Sequence, residues 1–195
     1  MSGNAALLRE ALMQNCSQVT RYLGMDQAQV NLLREVSQAV LARSEEIIGE
    51  ILGEVFRDPE STRILQDAGL TREVLEGMLR SWLAMAFQGD YGEGMCLEVS
   101  RIGLTFAAHG LAPGFVLAKL ATVTEVISRY VPANSVFPVV LKALRWNLTV
   151  VMLGYEVTRQ WLFERVLGVN EKVYKRLQAL AIKGILEELG VARSR

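Results

Sequence analysis

The chain has one histidine, two cysteines and four prolines among its 195 residues, and no excess of either charge, with 21 Lys plus Arg against 21 Asp plus Glu. Each shortage excludes something. Charges of both signs are mixed along the sequence rather than gathered into basic blocks, which leaves no electrostatic footprint for nucleic acid. With a single histidine, a Ser-His-Asp arrangement would have to use that residue. No paired carboxylates, activated nucleophile or phosphate loop offers other chemistry, so the chain reads as a non-enzyme. Cys16 and Cys96 lack the spacing of a zinc site or a redox motif and read as reduced, inert thiols. Residues 1–10 have no basic start leading into an apolar run, so no secretory signal is read and cytoplasm is the expectation. The greasiest segment, 137–157, is interrupted by Lys142, Arg145 and Asn147, which a buried helix can turn toward solvent, and no membrane span is assigned to it.

What is present points to a folded helical protein. Apolar residues make up 51% of the chain against 22% charged, a globular balance, and the length suits one domain with some decoration. Apolar spacing of three and four recurs almost everywhere and no alternating run survives, so the fold class is all-α. A first amphipathic helix over 5–22 precedes Asp26, which with Gln29 starts a short helix of capping-box type to about Glu35. The stripe from Val36 through Ile47, Ile48, Ile51, Leu52 and Val55 predicts one long helix ending near Phe56. Asp58 and Pro59 then open a short one. Thr71 caps a helix whose inward face carries Val74, Leu75, Met78, Leu79, Trp82, Met85 and Ala86, stopping near Gly89. Helices follow over 91–108 and, after Gly110 and Pro113, to about Tyr130. From Val136 a very long one carries Val140, Leu144, Val151 and Tyr155 toward Leu167. Gly168 ends it, and Asn170 caps a last amphipathic helix with Val173, Leu177, Leu180, Ala181, Ile185 and Leu186 on one stripe. That helix is expected to pack back, because an exposed stripe of this width invites aggregation. Seven to nine helices of unequal length suit a globin-like packing better than a four-helix bundle.

Specific residues carry a resemblance. The landmarks are Tyr22-Leu23-Gly24-Met25, Phe56-Arg57-Asp58-Pro59-Glu60, Trp82, Phe87-Gln88-Gly89-Asp90-Tyr91, Arg101-Ile102-Gly103, Gly110-Leu111-Ala112-Pro113 and the apolar run 143–155. In this order and spacing the chain resembles the sensor-type globins, the globin-coupled sensors and protoglobins. The resemblance implies a globin-like domain over 23–168, with an N-terminal helical extension over 1–22 and an appended C-terminal helix over 169–195. In that family Arg-Ile-Gly is followed, after two residues, by the histidine that binds haem iron, then by two residues, an apolar residue and Gly-Leu-x-Pro. Matching both ends without a gap puts Phe106 at the ligand position and His109 at the apolar one. The tyrosine that donates to iron-bound oxygen in the family is matched by Leu52. Phenylalanine offers iron no lone pair and leucine offers a diatomic no proton.

The resemblance therefore implies a regulatory or sensory globin-fold module that has lost ordinary haem ligation. Ile51, Leu52, Met78, Leu79, Trp82, Met85, Phe106 and His109 are its expected pocket residues. No metal or other cofactor is expected. A small apolar molecule is one candidate occupant of the pocket, and a protein partner is another expectation. The family's mode of dimerisation implies a homodimer through Pro113–Tyr130 and 136–167. The alternative is a haem-binding sensor of oxygen, nitric oxide or redox state, with His109 three residues along the same helix as a non-standard ligand. Against it, a histidine beside Gly110 can cap helix carbonyls and meet the dipole without any metal. Met78, Met85, Met95, Met152 and Cys96 read as core filler rather than soft ligands.

Overall fold

The structure, a computed structural model, describes residues 2–131 and 136–189. Its first helix is α1 (Ser2–Leu23). Asp26 then lies in extended backbone, and its Oδ1 accepts from the Gln29 N–H at 2.9 Å, capping α2 (Gln27–Leu41). The reciprocal half of a capping box does not form, because the Gln29 side chain accepts from Lys142 Nζ at 3.1 Å instead. α3 spans Ser44–Val55, with Glu45 and Glu46 in its first turn, where negative charge meets the positive end of the helix dipole. Asp58 caps α4 (Pro59–Asp67) through the Ser61 N–H at 2.8 Å, and Thr71 caps α5 (Arg72–Gln88). α6 (Glu93–Ala108), α7 (Pro113–Tyr130) and α8 (Phe137–Trp161) follow, then a π-helical turn at Leu162–Val166 and α9 (Glu171–Glu188), capped by Asn170. The described residues are helical with no strand, an all-α globin-like architecture.

The single long helix expected over 36–56 is two helices. The break at Ala42 and Arg43 is a tightened turn, with the Arg43 N–H donating to Val40 O at 3.0 Å, and it contains neither glycine nor proline. It lets Leu33 and Val40 of α2 and Ile47, Ile51 and Leu52 of α3 all enter the core, each at most 2% exposed, from two directions. The expected inward face of α5 is rotated slightly. Val74 is 45% exposed, whereas Leu83 and Phe87 are buried.

Contacts divide the chain into two units, Met1–Tyr155 and Glu156–Arg195. In the first, α1 packs on α6, and the cysteines expected to be free thiols instead pair as a disulfide, Cys16 of α1 with Cys96 of α6, their Cα atoms 6.2 Å apart. The correction arises because two cysteines 80 residues apart become neighbours only once the helices have packed, which no local spacing records. Trp146 of α8 is fully buried, donates through its indole to Thr20 Oγ1 at 2.9 Å and meets the Tyr91 ring edge-on at 4.9 Å. Asn147, expected to face solvent, is 1% exposed. It turns inward because it has three partners there: Oδ1 accepts from Trp82 Nε1 at 3.1 Å, and Nδ2 donates to Ala143 O at 2.9 Å and to Tyr91 Oη at 3.5 Å.

α6 and α8 cross at glycines. A Cβ on Gly103 would strike the Val151 carbonyl, and one on Gly154 would lie 2.6 Å from Ser100 O. The glycine of Arg101-Ile102-Gly103 is thus a packing requirement, because only a missing side chain lets the two backbones approach this closely. Residues 137–166 form one stretch long and apolar enough to cross a bilayer by length and composition, and half of its most apolar window is buried.

In the second unit the Phe163 and Tyr174 rings meet at a 45° tilt with centroids 4.7 Å apart, and Arg159 lies 5.5 Å from the Tyr174 ring.

Candidate functional site: an apolar cavity

Inside the first unit, α3, α5, α6, α7 and α8, with Leu65 of α4, leave a cavity of about 90 Å³. Its walls follow helical periodicity. Ile51, Leu52 and Val55 come from α3, and Leu75, Met78, Leu79 and Trp82 from α5. Val116, Lys119, Leu120 and Val123 of α7 stand at i, i+3, i+4 and i+7, one face of one helix. Phe106 contributes from α6 and Val151 from α8. Leu111, in the turn after α6, lines it as well, and Tyr155 holds that turn by donating to Leu111 O at 3.1 Å. Burial pushes the Tyr155 hydroxyl up to about 12, so it remains a neutral donor.

Of the eight pocket residues expected from sequence, Ile51, Leu52, Met78, Leu79, Trp82 and Phe106 are brought to this wall. Met85 and His109 are not. Met85 lines a surface groove between α5 and α6, which shares Met78, Trp82 and Ile102 with the cavity, so these three side chains partition one space from the other. His109 is exposed at the C-terminus of α6, where Gly110 follows in left-handed backbone at φ 74°. Its Nδ1–H donates to Ala68 O at 2.6 Å, at the end of α4. The imidazole therefore satisfies a helix-terminal carbonyl, but of a neighbouring helix rather than its own.

The α7 wall had no place among the expected pocket residues. Its signal is the 116, 119, 120, 123 periodicity, within a segment that entered the sequence analysis only as the dimer contact implied by the resemblance. Lys119 is the cavity's one charged lining residue. It is half-buried, its ammonium lies 5.5 Å from the Phe115 ring, and among the described residues no ion pair to it is formed within 4.0 Å.

The α3 and α7 walls are fastened at one end. Glu50 accepts from Tyr130 Oη at 2.6 Å and from Arg129 Nη1 at 2.5 Å, and Arg43 lies 4.4 Å from the Tyr130 ring. The Tyr130 hydrogen bond, then Arg129, hold the Glu50 carboxyl below its ordinary range. A depressed carboxyl stabilises the fold above its unfolded pKa, and that contribution disappears as pH falls through the folded value. Glu50→Gln should therefore lose less melting temperature than the parent between about pH 6 and pH 3. Thermal denaturation across that window checks this, and parallel curves would refute the linkage.

The lining does not fit ordinarily ligated haem. It has no imidazole, carboxylate or thiolate, and its one soft donor is the Met78 thioether. Phe106 and Leu52, the residues that the resemblance matches to the family's ligating and oxygen-binding positions, both line this wall, and Leu52 is 2% exposed. The volume is also far below the few hundred Å³ typical of cofactor sites. Among the described residues no group of three or more His, Cys, Asp or Glu side chains is placed to hold a metal ion.

Comparison with known proteins places the fold. No curated protein sequence matches the chain. The globin domain of a Geobacter sulfurreducens globin-coupled sensor is similar in structure, with a TM-score of 0.62 over 71% of this chain and 96% of that one, at 17% sequence identity. That likeness speaks for the fold. The Protoglobin family model matches residues 12–138, more than half of the chain, and includes α6 with its Arg101-Ile102-Gly103 landmark. The chain accordingly belongs to the protoglobin family.

Proposed function

We propose that this protein is a sensory or regulatory protoglobin module that works without ordinary iron ligation. It reads the occupancy of its apolar cavity and acts through self-association or a protein partner rather than by catalysis. The observation that carries the reading is the pair Phe106 and Leu52, which put two hydrocarbon side chains on the cavity wall at the positions that resemble the family's ligating and oxygen-binding residues. Hydrocarbon on both sides favours an apolar occupant and disfavours a metal centre. Self-association through α7 and α8 is supported by the resemblance and by the outer face of α7, where Leu117 is 45% exposed beside exposed Ala118 and Ala121.

Titration of the purified protein with hemin tests this directly. The parent should give no ligated Soret band. Leu52→Tyr combined with Phe106→His should acquire one, because it restores an axial nitrogen and a distal donor to the same wall. A parent Soret band that is lost in His109→Ala and kept in Phe106→Ala would overturn the proposal in favour of a haem sensor with His109 as ligand. Sedimentation of the parent should find a dimer, and a monomer at all accessible concentrations would remove the self-association half of the reading.

A further inference from the structure

We infer that the cavity is a binding site for a short aliphatic carboxylate, tail inward, with Lys119 as its counter-ion. This rests on the reading above that the cavity is not an iron site.

The lining supplies one cation and otherwise hydrocarbon, sulfur and one indole. Such a wall suits an amphiphile, because an alkyl tail gains by leaving water while any polar group placed against it loses its hydrogen bonds. The head group must then meet Lys119, the one charged residue of the lining, which is itself half-buried. A compact ammonium with no second cation in the lining balances one negative charge, which fits a carboxylate and not a doubly charged phosphate. Nearby Asp58, which feels the Lys119 charge, has its carboxylate engaged in capping α4 through Ser61. The volume of about 90 Å³ limits the tail. Apolar cavities of this order take up small hydrocarbons such as benzene and stay dry when empty.

Calorimetric titration with sodium butanoate and, separately, butanol tests the inference in the parent and in Lys119→Gln. Butanoate should bind the parent at least tenfold more tightly than it binds Lys119→Gln. Butanol should bind both alike. Shortening the acid to acetate should weaken binding in the parent severalfold, as apolar burial requires. Equal butanoate affinity in parent and variant, or no butanoate binding by the parent, overturns the inference. The hemin titration is read independently: a ligated Soret band alongside Lys119-dependent butanoate binding sinks the iron-free reading alone, whereas butanoate binding indifferent to Lys119 sinks this one alone.

Discussion

Gly103→Ala should cost the fold about 3 kcal/mol or more and lower its melting temperature by roughly 6–12 °C. A single methyl group at this position meets the Val151 carbonyl, and behind it the Gly154 Cα at 3.3 Å. Backbone cannot step aside as a side chain can, so the α6–α8 crossing must open along its length, loosening Ser100 and Val99, both fully buried. Alanine improves helix propensity by about 1 kcal/mol over glycine, so the crossing strain has to exceed the net loss by that amount. Gly53→Ala is the control. That glycine is exposed on α3 with nothing within 4 Å of its added Cβ, and the same substitution there should stabilise by about 0.5–1 kcal/mol. Chemical denaturation of both variants decides the matter. If they shift stability in the same direction, the close crossing is not what makes glycine necessary at 103.

Asn147→Leu should destabilise by about 2–3 kcal/mol. The indole of Trp82 is a donor only, so Asn147 Oδ1 is the acceptor it needs, and leucine leaves that N–H buried without one. Tyr91 suffers less, since its hydroxyl also donates to Ala86 O at 2.6 Å. Burial raises the Tyr91 pKa well above the ordinary phenol range, so it stays neutral in both proteins. The asymmetry of a lost partner against a lost pair gives a sharper form of the same prediction. Removing the donor as well, in Asn147→Leu with Trp82→Phe, should recover about 1 kcal/mol relative to the sum of the single changes. Additive losses would mean that the Trp82–Asn147 bond contributes no coupling. The pair matters to the cavity because Trp82 is one of the three side chains dividing it from the outer groove.

Much of this was legible in the sequence where the chemistry is local. Asp26, Asp58, Thr71 and Asn170 each announce a helix start that forms, and Gly110 with Pro113 marks the boundary between α6 and α7. The α2–α3 break was illegible by apolar pattern, because the stripe continues across it in phase. The acidic pair after Ser44 was its only signal. Non-local consequences were harder still. Asn147 reads as a polar interruption of a greasy helix until Trp82, 65 residues earlier, is brought against it. Phe106 and Leu52 were placed on one cavity by a resemblance, whereas the same resemblance drew the whole of Pro113–Tyr130 into a dimer contact and left Lys119 and the α7 wall unmarked. Met85 and His109 followed the helical spacing of their neighbours but lie just off the inward arc, where a rotation of one residue changes which side of a helix a side chain serves.

The Cys16–Cys96 link closes the intervening residues into a covalent ring. That ring holds α2, α3, α4 and α5, and so the cavity walls that α3, α4 and α5 supply, while the rest of α6, with α7 and α8, hangs outside it. A protease cutting any turn between 17 and 95 would leave a nicked molecule in one piece, its halves parting only when a reductant is added. Cuts in the turn at 109–112 would instead release the C-terminal part as soon as the packing fails.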